Sequence, residues 1–227
     1  MSSIISVYNL QFKYQTSHSA SSAKLILNIP SLDFKSGESV FIFGSSGSGK
    51  TTFLEILSGV LDSSAGEVLI LGQKFHELTR TQKDQFRSQN IGYIFQQFNL
   101  IPYLTVKDNI LLPFVFNHKK VNLDLYQKLL SDLGLVQYEH HFANQLSVGQ
   151  QQRVAAARAL VIEPKIILAD EPTSALDYDH RESFLKIIFQ LVQDQKSTLL
   201  FVSHDRSIMH MFDRQLNLLD INQVGVK

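Results

Sequence analysis

Near its start the chain alternates: Tyr8, Leu10, Phe12 and Tyr14 interleave with Asn9, Gln11 and Lys13, the two-residue period of a strand with one buried face. Residues 16–24 are rich in Ser and Ala without periodicity and read as a connection to a second strand around 25–29. Three later runs, at 40–43, 166–169 and 198–202, are almost wholly apolar, as strands covered on both faces of a parallel sheet are. Elsewhere the apolar spacing becomes i, i+3, i+4, i+7, in Phe53, Ile56, Leu57 and Val60 and again in Phe184, Ile187, Ile188 and Leu191. These predict two amphipathic helices.

Strand and helix in alternation predict an α/β fold with a parallel central sheet. From about 97 to 160 the strand pattern vanishes. Tyr126, Leu129, Leu130 and Leu133 repeat there at helical spacing, with Asn122 and Gly134 placed as caps. The expectation is a single domain over 1–227, in which a helical subdomain at about 97–160 is inserted into a core built from about 1–96 and 161–227. A last strand-like run covers 215–220.

Composition narrows the chemistry. The 227 residues carry 21 Lys plus Arg and 21 Asp plus Glu, a formal net charge of zero, so no basic field points to nucleic acid. Charged residues are 19% of the chain against about 25% in ordinary domains, a hint of a covered face. Cysteine is absent, which excludes disulfides, thiolate catalysis and zinc-thiolate sites. The first residues lack the basic and apolar regions of a secretory signal, and the apolar runs fall far short of the roughly 20 residues of a membrane span. Membrane association is expected to run through a partner.

Directly after the apolar run at 40–43 stand Gly44, Ser45, Ser46, Gly47, Ser48, Gly49, Lys50, Thr51 and Thr52, a phosphate-loop pattern between strand and helix. Glycines let the backbone curl its N–H groups toward phosphate oxygens, and the positive end of the following helix adds to the attraction. Lys50 is placed to reach the β- and γ-phosphates, and Thr51 to offer a hydroxyl to Mg²⁺, a hard ion that takes oxygen ligands. Asp170 and Glu171 close the apolar run at 166–169, where an open α/β sheet presents its ligand crevice. Asp170 suits the Mg²⁺ side of such a site; Glu171 suits a general base that deprotonates water for attack on the γ-phosphate. A third element, Leu146 through Arg153, contains Ser147, Gly149 and Gln150. Ser147 can cap a helix whose first amides face an anion, a second phosphate site.

With these pieces in one order, namely phosphate loop, Gln96, the segment at 146–153, Asp170-Glu171, the Ser-Ala-Leu-Asp run at 174–177 and His204, the chain resembles the ATP-binding subunits of ABC transporters over nearly its whole length. The resemblance implies a P-loop NTPase core with a parallel central sheet, an N-terminal antiparallel β portion and the inserted helical subdomain. It implies ATP and Mg²⁺ as cofactors. It further implies that Tyr14 stacks on adenine, that Gln96 lies by the Mg²⁺ with Thr51 and Asp170, and that His204 contacts the γ-phosphate beside the base Glu171. Ser147, Gly149 and Gln150 would serve the ATP of a second subunit, so that two copies, or this chain and a related ATPase, close head to tail on two nucleotides. Val148 departs from the family, which usually has glycine there. Either the backbone has ordinary helix-start geometry and Val is tolerated, or the chain is a slow ATPase.

Residues 95–113 are similar to ATPases of the lipoprotein-release and macrolide-efflux type, which drive a separate membrane permease, and also to importers of polar amino acids. The first likeness implies efflux or extraction of lipoprotein or lipid, an inner-membrane permease as partner, a possible extracytoplasmic adaptor, and a position on the cytoplasmic face of that membrane. A soluble ABC ATPase without transport is the remaining alternative. Phe98, Leu100, Ile101, Pro102 and Tyr103 are either the dock for the permease or ordinary packing.

Overall fold

The computed structural model describes residues 3–14, 24–117, 119–174 and 178–224. In chain order its elements are β1 (Ser3–Tyr14), β2 (Lys24–Lys35), β3 (Ser39–Phe43), α1 (Lys50–Leu57), β4 (Ala65–Ile70), β5 (Gln73–Lys74), α2 (Arg80–Asn90), β6 (Ile91–Ile94), α3 (Val106–Leu111), α4 (Phe114–Asn117), α5 (Leu123–Asp132), α6 (Val148–Leu160), β7 (Ile166–Asp170), α7 (Tyr178–Asp194), β8 (Thr198–Val202), β9 (Arg214–Asn217) and α8 (Leu218–Ile221). The chain divides into two compact units, one of residues 1–84 and 201–227, the other of residues 85–200.

In the first unit an antiparallel sheet is ordered β2-β1-β4-β5. The alternation that predicted β1 holds only in part. Leu10 and Phe12 are buried, but Tyr8 is exposed and the buried residues before it are Ile4, Ile5 and Val7. Asn9 has φ 49°, and the register to β4 slips between Tyr8 and Gln11, so the inward phase changes at Asn9 and drops Tyr8 from the core stripe. Strand β2 extends well past the 25–29 expected, because its outward positions are polar and weaken the apolar signal. The connection read at 16–24 falls, up to residue 23, outside the described residues. Beside this sheet of the same unit, β3 pairs parallel with β9, Val40 opposite Arg214 through Phe43 opposite Asn217. The end of β8 joins it, with Phe201 stacked 6.2 Å from Phe41 and the Ser203 N–H donating to the Ile42 carbonyl at 3.2 Å.

Two boundaries differ from the sequence reading. Helix α1 stops at Leu57, and Val60 lies beyond it, 56% exposed. Gly59 has φ +72°, and the Gly59 and Val60 N–H groups return to the carbonyls of Ile56 and Glu55, a Schellman stop that ends the helix before the apolar stripe does. The run at 215–220 is a strand only to Asn217. There the Asn217 side chain accepts from the Leu219 N–H at 3.3 Å and turns the chain into α8, as an N-cap does.

In the second unit β6 and β7 pair parallel, Ile91 opposite Ile166 through Ile94 opposite Ala169, and the start of β8 follows β7 in the sheet. Every residue of β7 is buried, as its unbroken apolar run requires. Helix α6 packs against β6, α3 and α7 through Val154, Ala155, Ala156 and Ala157, all fully buried. Its approach is close enough that a Cβ on Gly92 of β6 would lie 2.4 Å from the Ala159 carbonyl oxygen, so only glycine fits. Asn122 caps α5 by accepting from the Leu125 N–H at 3.2 Å, and Gly134 follows the helix with φ +64°, as their positions predicted. Between 97 and 160 the described residues hold helices and one isolated bridge, Thr105 to Phe142.

Candidate functional site

In the first unit β3 delivers the chain into residues 44–49, and α1 begins at Lys50. Gly47 and Gly49 have φ of 75° and 96°. At Gly49 this matters twice, since a Cβ there would also lie 2.8 Å from Leu27 Cδ2. Alternating left-handed glycines in such a loop form the concavity of N–H groups that binds anions. No side chain caps α1, and its first turn has no acidic residue, so the positive helix end is left to an external anion. Lys50 Nζ donates to the Gly44 carbonyl at 3.0 Å and the Ser45 carbonyl at 3.2 Å, folded over the loop's own backbone. Thr51 is exposed and Thr52 buried.

Tyr14, at the end of β1, is 46% exposed. Its hydroxyl shares a hydrogen bond of 3.2 Å with Thr52 Oγ1, and its ring stands edge-on to Phe12 at 4.9 Å. Residue 14 and the phosphate loop, far apart in sequence, are thus brought together. His204 is exposed and follows Ser203, whose N–H is bonded to the end of β3.

In the second unit β7 ends on Asp170, 5% exposed. Glu171 leaves the strand with φ 46°, a left-handed conformation sparsely used by residues other than glycine. The Ser174 N–H donates back to the Glu171 carbonyl at 3.2 Å; the rest of the 174–177 run lies outside the described residues. Gln96 is exposed just past β6. Because Ile94 pairs with Ala169, Gln96 and Asp170 leave the same end of adjacent parallel strands.

Ser147 is the N-cap of α6. Its hydroxyl accepts from the Gln150 N–H at 3.3 Å while Gln150 Oε1 accepts from the Ser147 N–H at 2.8 Å, a reciprocal capping box. Val148, the first helical residue, is 51% exposed and is not among the positive-φ residues. The backbone at Val148 therefore has ordinary helix-start geometry. Gln152, one turn on, is fully buried and donates to the Pro172 carbonyl, tying α6 to the residue after Glu171.

Two residues that the sequence did not single out hold this unit's loops. Arg158 of α6 donates to the Phe98 carbonyl at 2.6 Å and the Asn99 carbonyl at 2.7 Å. Asn109, fully buried, bonds both the N–H and the carbonyl of Ile101, at 2.8 and 3.1 Å. The segment after Gln96 is therefore fixed by the buried Asn109 and the half-buried Arg158, while Tyr103 at its tip is 74% exposed.

A model of the family described as ABC transporter matches residues 27–174, a span that holds the phosphate loop, Gln96, the α6 cap and Asp170-Glu171. The chain belongs to the ABC transporter ATPase family. This ABC ATPase is 35% identical to the lipoprotein-releasing system ATP-binding protein LolD of Psychrobacter arcticus, over 96% of each chain. It is 39% identical over 83% of its length to the macrolide export ATP-binding/permease protein MacB of Rhodopirellula baltica, of which it spans 28%. A solved dimer of the ATP-binding cassette MJ0796, bound to ADP and Pi, superposes with a TM-score of 0.84 at 35% identity, covering 94% of this chain and 93% of that one. The α/β fold with its parallel and antiparallel sheets is that of an ABC cassette, and the activity is that of an ATP-hydrolysing transport subunit. Among the described residues no helix is long and apolar enough to cross a membrane.

The residue types expected around Mg²⁺ are those that suit a hard cation. Thr51, Gln96 and Asp170 offer a hydroxyl, an amide oxygen and a carboxylate, the oxygen chemistry Mg²⁺ prefers. Among the described residues no three His, Cys, Asp or Glu side chains gather as a self-sufficient metal site.

Proposed function

We propose that this ABC ATPase powers a separate membrane permease in efflux or in extraction of lipoprotein or lipid. The observation that carries the reading is the 35% identity to a lipoprotein-releasing ATP-binding protein over 96% of both chains. The macrolide-export relative supports the same class. In this reading the chain sits on the cytoplasmic face of the inner membrane, held there by its permease, with an extracytoplasmic adaptor acting through that permease.

The residues take these roles. Tyr14 stacks on adenine, and the N–H groups of residues 44–49 with Lys50 and Thr52 hold the phosphates. Thr51, Gln96 and Asp170 hold Mg²⁺, which on binding neutralises phosphate charge. Glu171 takes the proton of the attacking water, and His204 holds the γ-phosphate. Ser147, Gly149 and Gln150 act on the nucleotide of the opposite subunit, a second copy or a related ATPase; the dimeric cassette bound to ADP and Pi supports such pairing. The rigid backing of residues 98–103 by Asn109 and Arg158, with Tyr103 left exposed, supports this segment as the dock for the permease.

The test is an ATP-trapped capture. Tagged Glu171→Gln is extracted gently from native membranes with Mg-ATP, and what co-purifies is identified by mass spectrometry. An integral membrane partner with few helices and a large extracytoplasmic part is expected, lost on Tyr103→Ala. A many-helix importer permease would redirect the proposal to amino-acid uptake, and soluble partners alone would overturn transport.

A further inference from the structure

A side chain near the end of the described chain reaches the back of the phosphate loop. Helix turn α8 places Leu218, fully buried, behind Gly44, where a Cβ would lie 3.7 Å from Leu218 Cβ. The turn closes with the Asn222 N–H on the Leu218 carbonyl at 2.9 Å. From there the Asn222 amide spans two elements. Its Nδ2 donates to the Ile26 carbonyl at 2.9 Å and to the Ser48 carbonyl at 3.4 Å, and its Oδ1 accepts from the Asn28 N–H at 2.8 Å. The next residue continues the contact, the Gln223 N–H donating to the Asn28 carbonyl at 2.8 Å. Strand β2 is the edge of its sheet, so residues 222–223 occupy that edge.

The bond to Ser48 bears on phosphate binding because of which peptide it holds. Ser48 contributes the carbonyl and Gly49 the N–H of one planar trans unit, in which the two groups point opposite ways. Drawing the Ser48 carbonyl toward Asn222 and β2 directs the Gly49 N–H away from them. Gly49, at φ 96°, rests on Leu27 and Ile26, whose side chains would lie 2.8 and 3.2 Å from a Cβ placed there. Asn222 fastens the flanking Ile26 and Asn28 backbone to the same loop. We propose that Asn222 is a positioning residue for nucleotide binding, setting the Ser48–Gly49 peptide so that its N–H is presented to phosphate. This rests on the phosphate loop being the nucleotide site.

Asn222→Asp keeps the shape and removes both donors, setting a carboxylate oxygen against two carbonyls. Asn222→Ala is its uncharged companion should the carboxylate unfold the turn. A loop orientation that serves substrate and transition state alike acts on binding, so KM for ATP is expected to rise about 10-fold with kcat within about twofold. Labelled-ATP equilibrium dialysis on the full chain should show the same loss of affinity. Asn217→Ala loosens the α8 cap without touching Ser48, and should lower the thermal midpoint while leaving KM unchanged. If both Asn222 variants bind ATP like the parent, or if Asn217→Ala raises KM equally, Asn222 is only a structural staple and the proposal is wrong. Lys50→Ala separates the two layers: if it retains ATP affinity, the phosphate-loop assignment falls and this inference with it. If Lys50→Ala abolishes binding while the Asn222 variants do not weaken it, this inference alone falls.

Discussion

Arg158 donates from Nη1 to the Asn99 carbonyl at 2.7 Å. The guanidinium sits on α6, the helix capped by Ser147, and Asn99 stands three residues past Gln96, held at φ 49°. Burial pushes the Arg158 pKa down, yet a guanidinium stays charged in proteins, so the bonds to Phe98 and Asn99 are charge-assisted. Arg158→Met leaves two carbonyls without their donor and should destabilise the chain by about 1–3 kcal/mol, read from urea unfolding. Arg158→Lys should recover only part, because an ammonium does not reproduce the planar fork. Unchanged stability in the Met variant would show that the contact contributes nothing net.

At Val148 the structure converts an open alternative into a quantitative expectation. The residue begins α6 with ordinary backbone geometry and half its surface exposed, so a β-branched side chain carries no positive-φ strain. Val148→Gly is therefore expected to change ATP turnover by less than about 10-fold, about 1.4 kcal/mol of barrier. Phosphate-release assays on both forms check it. A much larger gain would mean that side-chain bulk, rather than backbone, throttles the parent.

Glu171 combines a left-handed backbone with a position one residue past a wholly buried strand. As the general base proposed above, Glu171 would be needed for turnover and not for holding nucleotide. Glu171→Gln should retain ATP binding and favour the closed dimer while hydrolysis falls by roughly 10²–10⁴-fold, the usual contribution of a positioned base. Size-exclusion with ATP and a phosphate assay read the two effects separately. Normal hydrolysis by the variant would remove Glu171 from that role.

How far these features could be read in advance depended on whether their cause was local. The run at 166–169 is apolar because both faces of β7 are covered, and a loop that must curl at Gly47 and Gly49 declares itself by composition. Asn122 was readable as a cap because its partner, Leu125, lies three residues away. Helix α2 was not readable: over Arg80–Asn90 only Lys83 and Phe86 are buried, too few to print a helical period on a polar segment. Tyr8 misled because a slip at Asn9 shifts the inward phase without changing the alternation. Asn222 and Arg158 gave no signal at all. Their partners are backbone groups 59 to 196 positions away, and almost any residue type supplies those.

Tyr14 provides a test that separates ring from hydroxyl. The hydroxyl bonds to Thr52, on the helix that follows the phosphate loop, while the ring is half exposed beside Phe12. If the ring stacks on adenine, Tyr14→Ala should raise KM for ATP by about 10-fold or more, in keeping with the 1–3 kcal/mol typical of a base on an aromatic ring. Tyr14→Phe keeps the ring and loses one net hydrogen bond, worth about 0.5–1.5 kcal/mol, part of which stabilises the fold whether or not ATP is bound. Its KM should therefore rise less than threefold while its thermal midpoint drops slightly. ATP and a triphosphate without a base, measured side by side, make the assignment sharp: Tyr14→Ala should weaken ATP and leave the bare triphosphate untouched. Equal weakening of both would mean that Tyr14 acts by bracing Thr52 and the loop, not by receiving the base.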